Sequence, residues 1–575
     1  MRNAELVLRR EIEAYPDLVD ARNALGVALA NQARREEALA VFQAAAGLDP
    51  RSAEANNNVG NVLNDLGRYA EAVPYLEKAL ETNPRLADAH HSLGMAFQCL
   101  KRHEEAIACL EKALSIAPDM TYSLSHLLWN EIAICRWDKL GARIDALRTQ
   151  LRERRVAAAP LILAAVSESA EEQRLCAELH TRESVRTQPA PLWQGTRYRH
   201  GRIRLAYLSA DFCEHATAQL SAGLFELHDR SKFELFAISY GRDDGSPMRS
   251  RLTRSFDRFV EAREYADADV ARMLRELEAD IAIDLKGHTT DARPGILAFR
   301  PAPIQVGYLG FPGTSGAPFV DYLIADRFVL PEGEQRFYSE KVVYLPGCYQ
   351  VNDARRAIAA STPSRAAAGL PAEGFVYCCF NNNYKISPRL FDIWMRLLRE
   401  VPDSVLWLLE DNSAARRNLQ NEAQARGVNP ARLVFAARLP HAEHLARHRL
   451  ADLFLDTLPY NAHTSASDAL WAGLPLVTCA GSSFAGRVAG SLLHAVGLPE
   501  LVTENLEDYA TLALKLAKDR GLLGEVRAKL ARNRSTAPLF ATDLFRRHIE
   551  SAYQTMWQTW QRGEPPRAFA VEPIN

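Results

Sequence analysis

Small, apolar and proline positions recur every 34 residues along the first fifth of the chain. A period of this length, with small residues where two helices cross and proline at the boundary, predicts a stack of helical hairpins. One hairpin cannot bury its apolar face alone, so neighbours pack into a solenoid with a concave groove. The positions in phase are Pro16, Pro50, Pro84 and Pro118; Gly26, Gly60 and Gly94; Ala38, Ala72 and Ala106; Phe42, Leu76 and Leu110; and Ala45, Ala79 and Ala113.

The pattern is typical of tetratricopeptide repeats, and we assign residues 1–120 to such an array. Its groove is predicted to hold a protein or peptide partner, whose backbone the side-chain amides of Asn57 and Asn58 can bind. Two alternatives stay open from the pattern alone. The array can be a scaffold without a ligand, and the asparagines can simply decorate a helix.

Helical periodicity continues over 121–190 without the repeat phase, which predicts degenerate repeats or a helical adaptor. The prolines and glycine of RTQPAPLWQGTRYRHG then interrupt it. Beyond them, short apolar runs alternate with amphipathic segments, as in βαβ units. The runs predicted as strands are 203–208, 235–240, 281–285, 304–309 and 322–325, and after a loop near 352–373 they are 375–380, 405–409, 433–436, 453–456 and 476–479.

This alternation predicts two consecutive doubly wound parallel sheets of the Rossmann type. We assign a first lobe to residues 200–355 and a second to 370–575. Each lobe has its crevice at the carboxyl ends of its strands, so a cleft between the lobes is the expected ligand site.

Polar residues follow three of the strands predicted for the second lobe. They are 381–385 after the first, His441 and His444 after the third, and 461–465 after the fourth. Because these strand ends meet at one edge of the sheet, we expect the polar groups to converge on one crevice.

The stretch HTSASDALWAG predicts a helix start with Thr464 or Ser465 as the cap and Asp468 in the first turn. Free N–H groups at that helix start, with Lys385 opposite, predict a phosphate site. Taken singly, Thr464 is explained as a plain cap, Lys385 as a surface lysine and His444 as a helix-face histidine. The phosphate site is predicted from the set.

In the first lobe, His215 follows the first strand and is a candidate to orient or deprotonate a hydroxyl. His288 follows the third strand in the same way, and the glycine-rich loop 309–316 follows the fourth, where backbone can approach a ligand closely. A structural histidine and a plain turn are the alternatives.

Composition narrows the class of protein. Its 47% hydrophobic and 24% charged residues are typical of a globular protein. With a net charge of −2, the chain has no excess of positive charge that would favour binding to nucleic acid or to an anionic membrane. The sequence shows no apolar run long enough to span a bilayer and no apolar signal-peptide core, so a cytoplasmic location is expected.

Asp267 and Asp269 spell Asp-x-Asp, but they open an amphipathic helix, so we interpret them as helix caps and predict no metal site.

Four motifs carry a resemblance to a known family: RPAPIQVGYLGFPGTSG (300–316), FNNNYKISP (380–388), SVLWLLE (404–410) and LDTLPYNAHTSASDALWAGLP (455–475). Behind tetratricopeptide repeats, they resemble the O-linked N-acetylglucosamine transferases. The resemblance implies a two-lobed GT-B fold and an inverting reaction that uses a UDP-sugar without a catalytic metal. The UDP-sugar is a substrate, and no cofactor is expected.

The resemblance also implies roles for individual residues. Lys385 would contact the diphosphate and His215 would act as base or position the acceptor; Ala216 and Gln219, beside His215, depart from the Pro and His of animal members. The residues matched to the nucleotide-sugar side are Asn382, Leu439, His441, His444, Arg447, His463, Thr464, Ser465 and Asp468, with Asp468 on the ribose, and those matched to the sugar and acceptor side are His288, Leu309, Gly310 and Pro312.

The resemblance therefore predicts transfer of N-acetylglucosamine from its UDP donor to serine and threonine hydroxyls of intracellular proteins. Relatives of the family use other donors, such as GDP-fucose or UDP-glucose, and a related transferase of that kind is one alternative. A repeat scaffold whose lobes no longer turn over is the other.

Overall fold

The computed structural model describes residues 2–32, 34–186 and 188–574. The chain forms two compact units, Met1–Thr149 and Gln150–Asn575. The first unit is helical. Its helices are α1 (Arg2–Ala14), α2 (Val19–Ala30), α3 (Arg35–Leu48), α4 (Ala53–Asp65), α5 (Tyr69–Thr82), α6 (Ala87–Cys99), α7 (His103–Ile116), α8 (Ser123–Ala133) and α9 (Leu140–Arg152).

Close packing between paired helices accounts for the 34-residue pattern of the first unit. A Cβ atom at Gly60 of α4 would lie 2.4 Å from Cγ of Leu76 on α5, so only glycine leaves room for that leucine. Gly26 is placed in the same way against Phe42, and Gly94 against Leu110. The predicted solenoid of helical hairpins is confirmed, and its in-phase alanines, Ala38, Ala45, Ala72, Ala79, Ala106 and Ala113, are fully buried.

The second unit begins with two helices, α10 (Pro160–Ala164) and α11 (Ala170–Ser184). A first βαβ series follows them. Its elements are β1 (Ile203–Ser209), α12 (Ala216–Leu227), β2 (Phe233–Ser239), α13 (Pro247–Arg254), β3 (Arg258–Glu261), α14 (Asp267–Glu276), β4 (Ile281–Asp284), α15 (Pro294–Ala298), β5 (Ile304–Gly307), β6 (Tyr322–Ala325) and β7 (Lys341–Tyr344).

A second series follows the linker at 346–375. Its elements are β8 (Val376–Cys379), α16 (Pro388–Glu400), β9 (Val405–Leu409), α17 (Ser413–Ala425), β10 (Leu433–Ala436), α18 (His441–Arg447), β11 (Leu453–Leu455), α19 (Thr464–Trp471), β12 (Leu476–Cys479), α20 (Val488–Ala495), β13 (Val502–Thr503), α21 (Leu506–Lys518) and α22 (Arg520–Asn533). The described chain then ends on α23 (Thr542–Gln561) and β14 (Phe569–Ala570).

The strands form two parallel sheets, as predicted. The first has the order β14-β7-β6-β5-β4-β1-β2-β3 and the second β10-β9-β8-β11-β12-β13. In the first, β4 lies between β1 and β5; in the second, β8 and β11 are neighbours. The loops after these central strands therefore emerge side by side at the carboxyl edge of each sheet, where such folds bind ligands.

The end of the described chain returns to the first sheet. Strand β14 pairs with β7, and α23 places Ile549, Tyr553 and Met556 in the apolar core that also holds Leu205 of β1 and Leu235 of β2. This differs from the predicted second lobe of 370–575, since residues 542–570 complete the first lobe. Two residues of β14 are too few for a strand pattern to be visible in the sequence.

Helices α10 and α11 contact both lobes. The Thr181 hydroxyl donates to the Ser315 carbonyl (2.7 Å) in the first lobe, and Ser482 of the second lobe donates to the Glu168 carbonyl (2.8 Å). Ala164 of α10 packs against Tyr460 in the loop after β11. Part of the predicted adaptor therefore belongs with the lobes. In the described residues, no helix combines the length and apolarity needed to cross a membrane.

Candidate functional site

A buried lysine lies at the carboxyl edge of β8 and β11. Lys385, in a short 3-10 turn after β8, is 8% exposed, and its Nζ donates to the Asn461 carbonyl (2.8 Å) in the loop after β11. The same Nζ lies 4.1 Å from the centre of the Tyr460 ring. Burial lowers the pKa of Lys385 to about 8, and the charge of Asp456 opposes that shift. The lysine is thus a desolvated cation, which attracts an anion more strongly than a surface lysine does.

Asp456 shapes the loop that faces Lys385. Its Oδ1 accepts the N–H groups of Thr457 (2.7 Å) and Ala462 (2.6 Å), and its Oδ2 accepts the Thr478 hydroxyl (2.6 Å). Burial raises the pKa of Asp456 to about 6 in spite of these hydrogen bonds. Asp456 stands at the end of a strand predicted from the sequence, and no role was predicted for it. The sequence did carry one signal for it, an aspartate at the end of a predicted strand that precedes the polar segment 461–465.

The loop after β11 leads into the start of α19. His463 occupies the N-cap position of α19 and makes no side-chain cap, which corrects the prediction of Thr464 or Ser465 as the cap. The His463 Nε2 lies 3.1 Å from the Ala485 carbonyl, and its ring stacks on Tyr460. Burial, followed by the charge of Lys385, holds the pKa of His463 well below its ordinary value. First-turn N–H groups without intrahelical partners, on a helix that starts beside Lys385, favour an anionic ligand.

Asp468 lies one turn further along α19 and is 5% exposed. Its Oδ1 accepts Arg356 Nη1 (2.7 Å), and His441 Nε2 lies 3.4 Å from the same oxygen. Burial raises the pKa of Asp468, but the His441 hydrogen bond and the Arg356 charge outweigh it, so the pKa lies below its ordinary value. Arg356 was not predicted from the sequence, because it comes from the linker between the lobes and no recognisable motif marks it.

Helix α18 contributes the side chains predicted for the nucleotide side. Arg447 Nη2 lies 2.5 Å from His444 Nδ1, and Arg447 Nη1 donates to the Ala437 carbonyl (2.6 Å). Burial lowers the pKa of His444 to about 2, so this ring is neutral. Both residues thus order the turn between β10 and α18. Leu439 in that turn is 41% exposed, which leaves an apolar side chain free beside α18.

Asn382 joins the ends of β8 and β10. Its Oδ1 accepts Arg438 Nη2 (3.2 Å), and the same nitrogen binds Asp411 (2.6 Å). Thr464 and Ser465 are half-buried, and no hydrogen bond from either hydroxyl is present among the described residues. The second sheet therefore brings together Lys385, His463, Thr464, Ser465 and Asp468, with the α18 residues and Asn382 at the same edge.

In the first lobe, His215 caps α12. Its Nδ1 accepts the Thr217 N–H (3.2 Å) and lies 3.4 Å from Asp211 Oδ2. Asp211 is held in turn by Lys286 Nζ, which donates to both carboxylate oxygens (2.9 and 2.8 Å). The side chain of His215 is 45% exposed, so it can reach a ligand. Asp211 and Lys286, which the sequence analysis did not assign, come from the loops after β1 and β4.

The remaining predicted residues of the first lobe build the loop after β5. His288 is 8% exposed and its Nε2 contacts the Ser315 carbonyl (2.8 Å), so it braces that loop; burial lowers its pKa to about 3. Leu309 adopts φ +69°, and a Cβ at Gly310 would lie 2.1 Å from the Leu285 carbonyl oxygen. The following Pro312 is buried. The loop is therefore fixed tightly against the end of β4.

Direct contacts tie the two carboxyl edges together. Helix α12, which the His215 side chain caps, packs against α19, whose N-cap position is occupied by His463. Gln350 in the linker donates to the Ser467 hydroxyl of α19 (2.6 Å). The His215 cap and the Lys385 region thus belong to helices and loops that meet across the lobes. Asp267 and Asp269 lie in the first turn of α14, as predicted, but Asp267 is not its cap, because Ala266 is the N-cap residue and Asp267 binds Arg293 (2.7 Å).

Comparisons with known proteins agree with this arrangement. The chain is 37% identical over 376 residues to a probable UDP-N-acetylglucosamine–peptide N-acetylglucosaminyltransferase, SEC, of Arabidopsis thaliana, covering 64% of this chain and 38% of that protein. It is 28% identical over 476 residues to the UDP-N-acetylglucosamine–peptide N-acetylglucosaminyltransferase of Caenorhabditis elegans, covering 63% of this chain and 41% of that protein. The chain thus spans about two-fifths of the length of these relatives.

A solved structure of a mutant O-GlcNAc transferase from Thermobaculum terrenum superposes with a TM-score of 0.70 at 26% identity, over 95% of this chain and 98% of that one. This similarity confirms the predicted tetratricopeptide solenoid followed by a GT-B fold. A tetratricopeptide-repeat model matches residues 51–119. The model described as glycosyl transferase family 41 matches residues 167–362 and 354–549. Since that match spans more than half of the chain and includes every carboxyl-edge loop described above, the chain belongs to glycosyl transferase family 41.

Proposed function

We propose that this chain transfers N-acetylglucosamine from UDP-N-acetylglucosamine to serine and threonine hydroxyls of intracellular proteins. The observation that carries the proposal is the buried Lys385 Nζ beside the start of α19, one turn from the carboxylate of Asp468. A cation and free helix N–H groups suit a diphosphate, and a carboxylate suits the hydroxyls of a ribose. The names of the relatives give N-acetylglucosamine as the sugar and a peptide as the acceptor.

Catalysis in this proposal is mainly electrostatic. When the bond between the sugar and UDP breaks, negative charge builds up on the β-phosphate. Lys385 and the first-turn N–H groups of α19 are fixed before the reaction and stabilise that charge as it develops. The acceptor hydroxyl attacks the anomeric carbon from the opposite face in one displacement, so the configuration inverts.

The first lobe supplies the acceptor side in this proposal. His215 lies beside Asp211, and its imidazole is exposed enough to contact a hydroxyl. For the Nε2 of a neutral His215 to take a proton, Nδ1 must carry the hydrogen and direct it towards Asp211 rather than accept the Thr217 N–H. His215 thus acts as base or positions the acceptor, and Asp211 is its partner in the first role.

The repeat array is proposed to hold the acceptor protein. Several asparagines of α2 and α4 have buried side-chain oxygens without a hydrogen-bond partner in the described chain, and rotation of such a side chain towards the groove would let it accept a peptide backbone N–H. These are Asn23, Asn56, Asn57, Asn61 and Asn64.

A panel of donors tests the transfer reaction. Purified protein is incubated with a Ser/Thr peptide and UDP-N-acetylglucosamine, UDP-glucose or GDP-fucose, and the product mass is measured. We expect a mass gain of one N-acetylhexosamine and a much lower rate with the other donors. A faster reaction with UDP-glucose or GDP-fucose would contradict the proposed donor, and binding of UDP without any turnover would favour a scaffold.

Transfer is expected to need no added divalent cation. Lys385 and α19 occupy the role that a cation has in Asp-x-Asp transferases, and here Asp267 binds Arg293 while Asp269 binds Arg272. We therefore expect the initial rate to be unchanged in excess EDTA. A rate that collapses in EDTA and returns with Mg²⁺ or Mn²⁺ would reject this mechanism.

A further inference from the structure

A buried arginine from the linker holds the carboxylate of Asp468. The Arg356 side chain is fully buried, and Nη1 donates to Asp468 Oδ1 (2.7 Å). Its Nη2 donates to Asn352 Oδ1 (3.0 Å) and its Nε to the Asp353 carbonyl (3.2 Å). All three nitrogens of the guanidinium are thus used, which fixes its plane and direction.

The backbone of Arg356 is fixed as well. Its carbonyl accepts Trp471 Nε1 (3.1 Å), and its guanidinium lies 5.7 Å from the centre of the Trp471 ring at the end of α19. Burying a charge of this kind is costly unless a partner compensates it. Arg356 and Asp468 compensate each other, so the two side chains form one unit.

This pairing leaves one oxygen of Asp468 available. Oδ1 is occupied by Arg356 and faces His441, whereas Oδ2 has no hydrogen-bond partner in the part of the chain that the structure describes. A carboxylate accepts at both oxygens, so Oδ2 can accept a ligand hydroxyl while Oδ1 stays bound to Arg356.

We propose that Arg356 is a positioning residue that holds Oδ1 of Asp468 so that Oδ2 is presented to the ribose hydroxyls of the UDP-sugar. The inference rests on the proposed function, because it takes the donor to be a ribonucleotide. Arg356 thereby makes the site selective for ribose over deoxyribose. A ligand without the hydroxyls leaves a buried carboxylate oxygen unpaired, which such sites penalise strongly.

The linker connects this unit to the first lobe. Asp353, which lies three residues before Arg356 in the linker, binds Arg251 of α13 (2.7 Å). Gln350 binds Ser467, the residue next to Asp468 (2.6 Å). The direction of the Asp468 carboxylate is therefore set from outside the second sheet, by the segment that joins the lobes.

The test compares binding of UDP with that of 2′,3′-dideoxy-UDP by calorimetry. The wild-type protein is expected to prefer UDP by on the order of tenfold or more, because the analogue leaves Oδ2 unpaired. Arg356→Met and Asp468→Asn should each bring the ratio of the two Kd values close to one, and the double variant should do no more than either single change. In turnover, Arg356→Met should raise KM for the donor more than it lowers kcat.

A matched control is Arg355→Met, because the neighbouring arginine is 60% exposed and binds Glu226 (3.0 Å) rather than Asp468. This variant should keep the wild-type ratio. A folded Arg356→Met protein that still prefers UDP as the wild type does would overturn the inference. If Arg356→Met does not fold, Arg356→Lys, which keeps the charge and loses the fork, decides in the same assay: an unchanged ratio overturns the inference, and a reduced ratio supports it. Failure of the wild type to bind UDP would instead reject the proposed function.

Discussion

Replacing Lys385 with methionine is expected to lower kcat by about 100-fold to 1,000-fold, which is the usual loss when one hydrogen-bond donor to a developing negative charge is removed. Methionine keeps most of the volume of the lysine stem, and the buried site beside Tyr460 suits an apolar side chain. The loss follows from the missing charge opposite the departing diphosphate. Initial rates at saturating donor, with circular dichroism as a check on folding, measure it.

Lys518→Met is the matched control, because that lysine is 56% exposed on α21 and lies 3.8 Å from Glu400. It should leave kcat within about twofold of the wild type, since surface ion pairs contribute little. A Lys385→Met protein that turns over at the control rate would remove Lys385 from the mechanism and, with it, the phosphate site.

Deleting residues 1–118 is expected to lower glycosylation of folded protein acceptors by about tenfold or more, since a second binding site raises effective concentration by such factors. The deletion removes the hairpins that carry Asn23, Asn57 and Asn61 and leaves every residue of the candidate site in place. Affinity for UDP and the rate with a short peptide should change little. Calorimetry and product mass on the two acceptors separate these effects.

The truncation also exposes apolar side chains of α8, so this effect needs a separate control. Leu124, Leu127 and Leu128 of α8, buried in the full chain, lose the cover of α7. A full-length variant with Asn57→Ala and Asn61→Ala keeps α7 in place. We expect it to glycosylate protein acceptors less than the wild type does, but more than the truncated protein does. Unchanged glycosylation of a folded acceptor by both proteins would mean that the array does not recruit acceptors.

Most of the fold could be predicted from local patterns in the sequence. The 34-residue phase is visible because each glycine must face a large side chain of the paired helix, as Gly60 faces Leu76. Buried strands such as β9 and β12 appear at their predicted residues because both of their faces are apolar. The run 304–309 ends early, at Gly307, because Leu309 turns to a positive φ. Short strands such as β3 and β14 carry too few apolar positions to be seen.

The candidate site was predicted where its residues follow a strand and missed where the partner is distant in sequence. Lys385 and His463 lie in the segments that follow β8 and β11, which are neighbours in the second sheet, so the topology brings these segments together. Arg356 reaches Asp468 over 112 residues and Lys286 reaches Asp211 over 75. Such pairs depend on the packing of linker and loops, which hydrophobic periodicity does not encode.

The return of α23 and β14 to the first sheet has a consequence for how the chain folds during synthesis. Ile549, Tyr553 and Met556 complete a core that begins with Leu205, so that core can close only after the second lobe has emerged from the ribosome. Until then, the first lobe presents apolar surface and an unpaired edge at β7, and both promote aggregation. Nascent chains stalled before residue 542 should therefore depend on chaperones more than finished chains do.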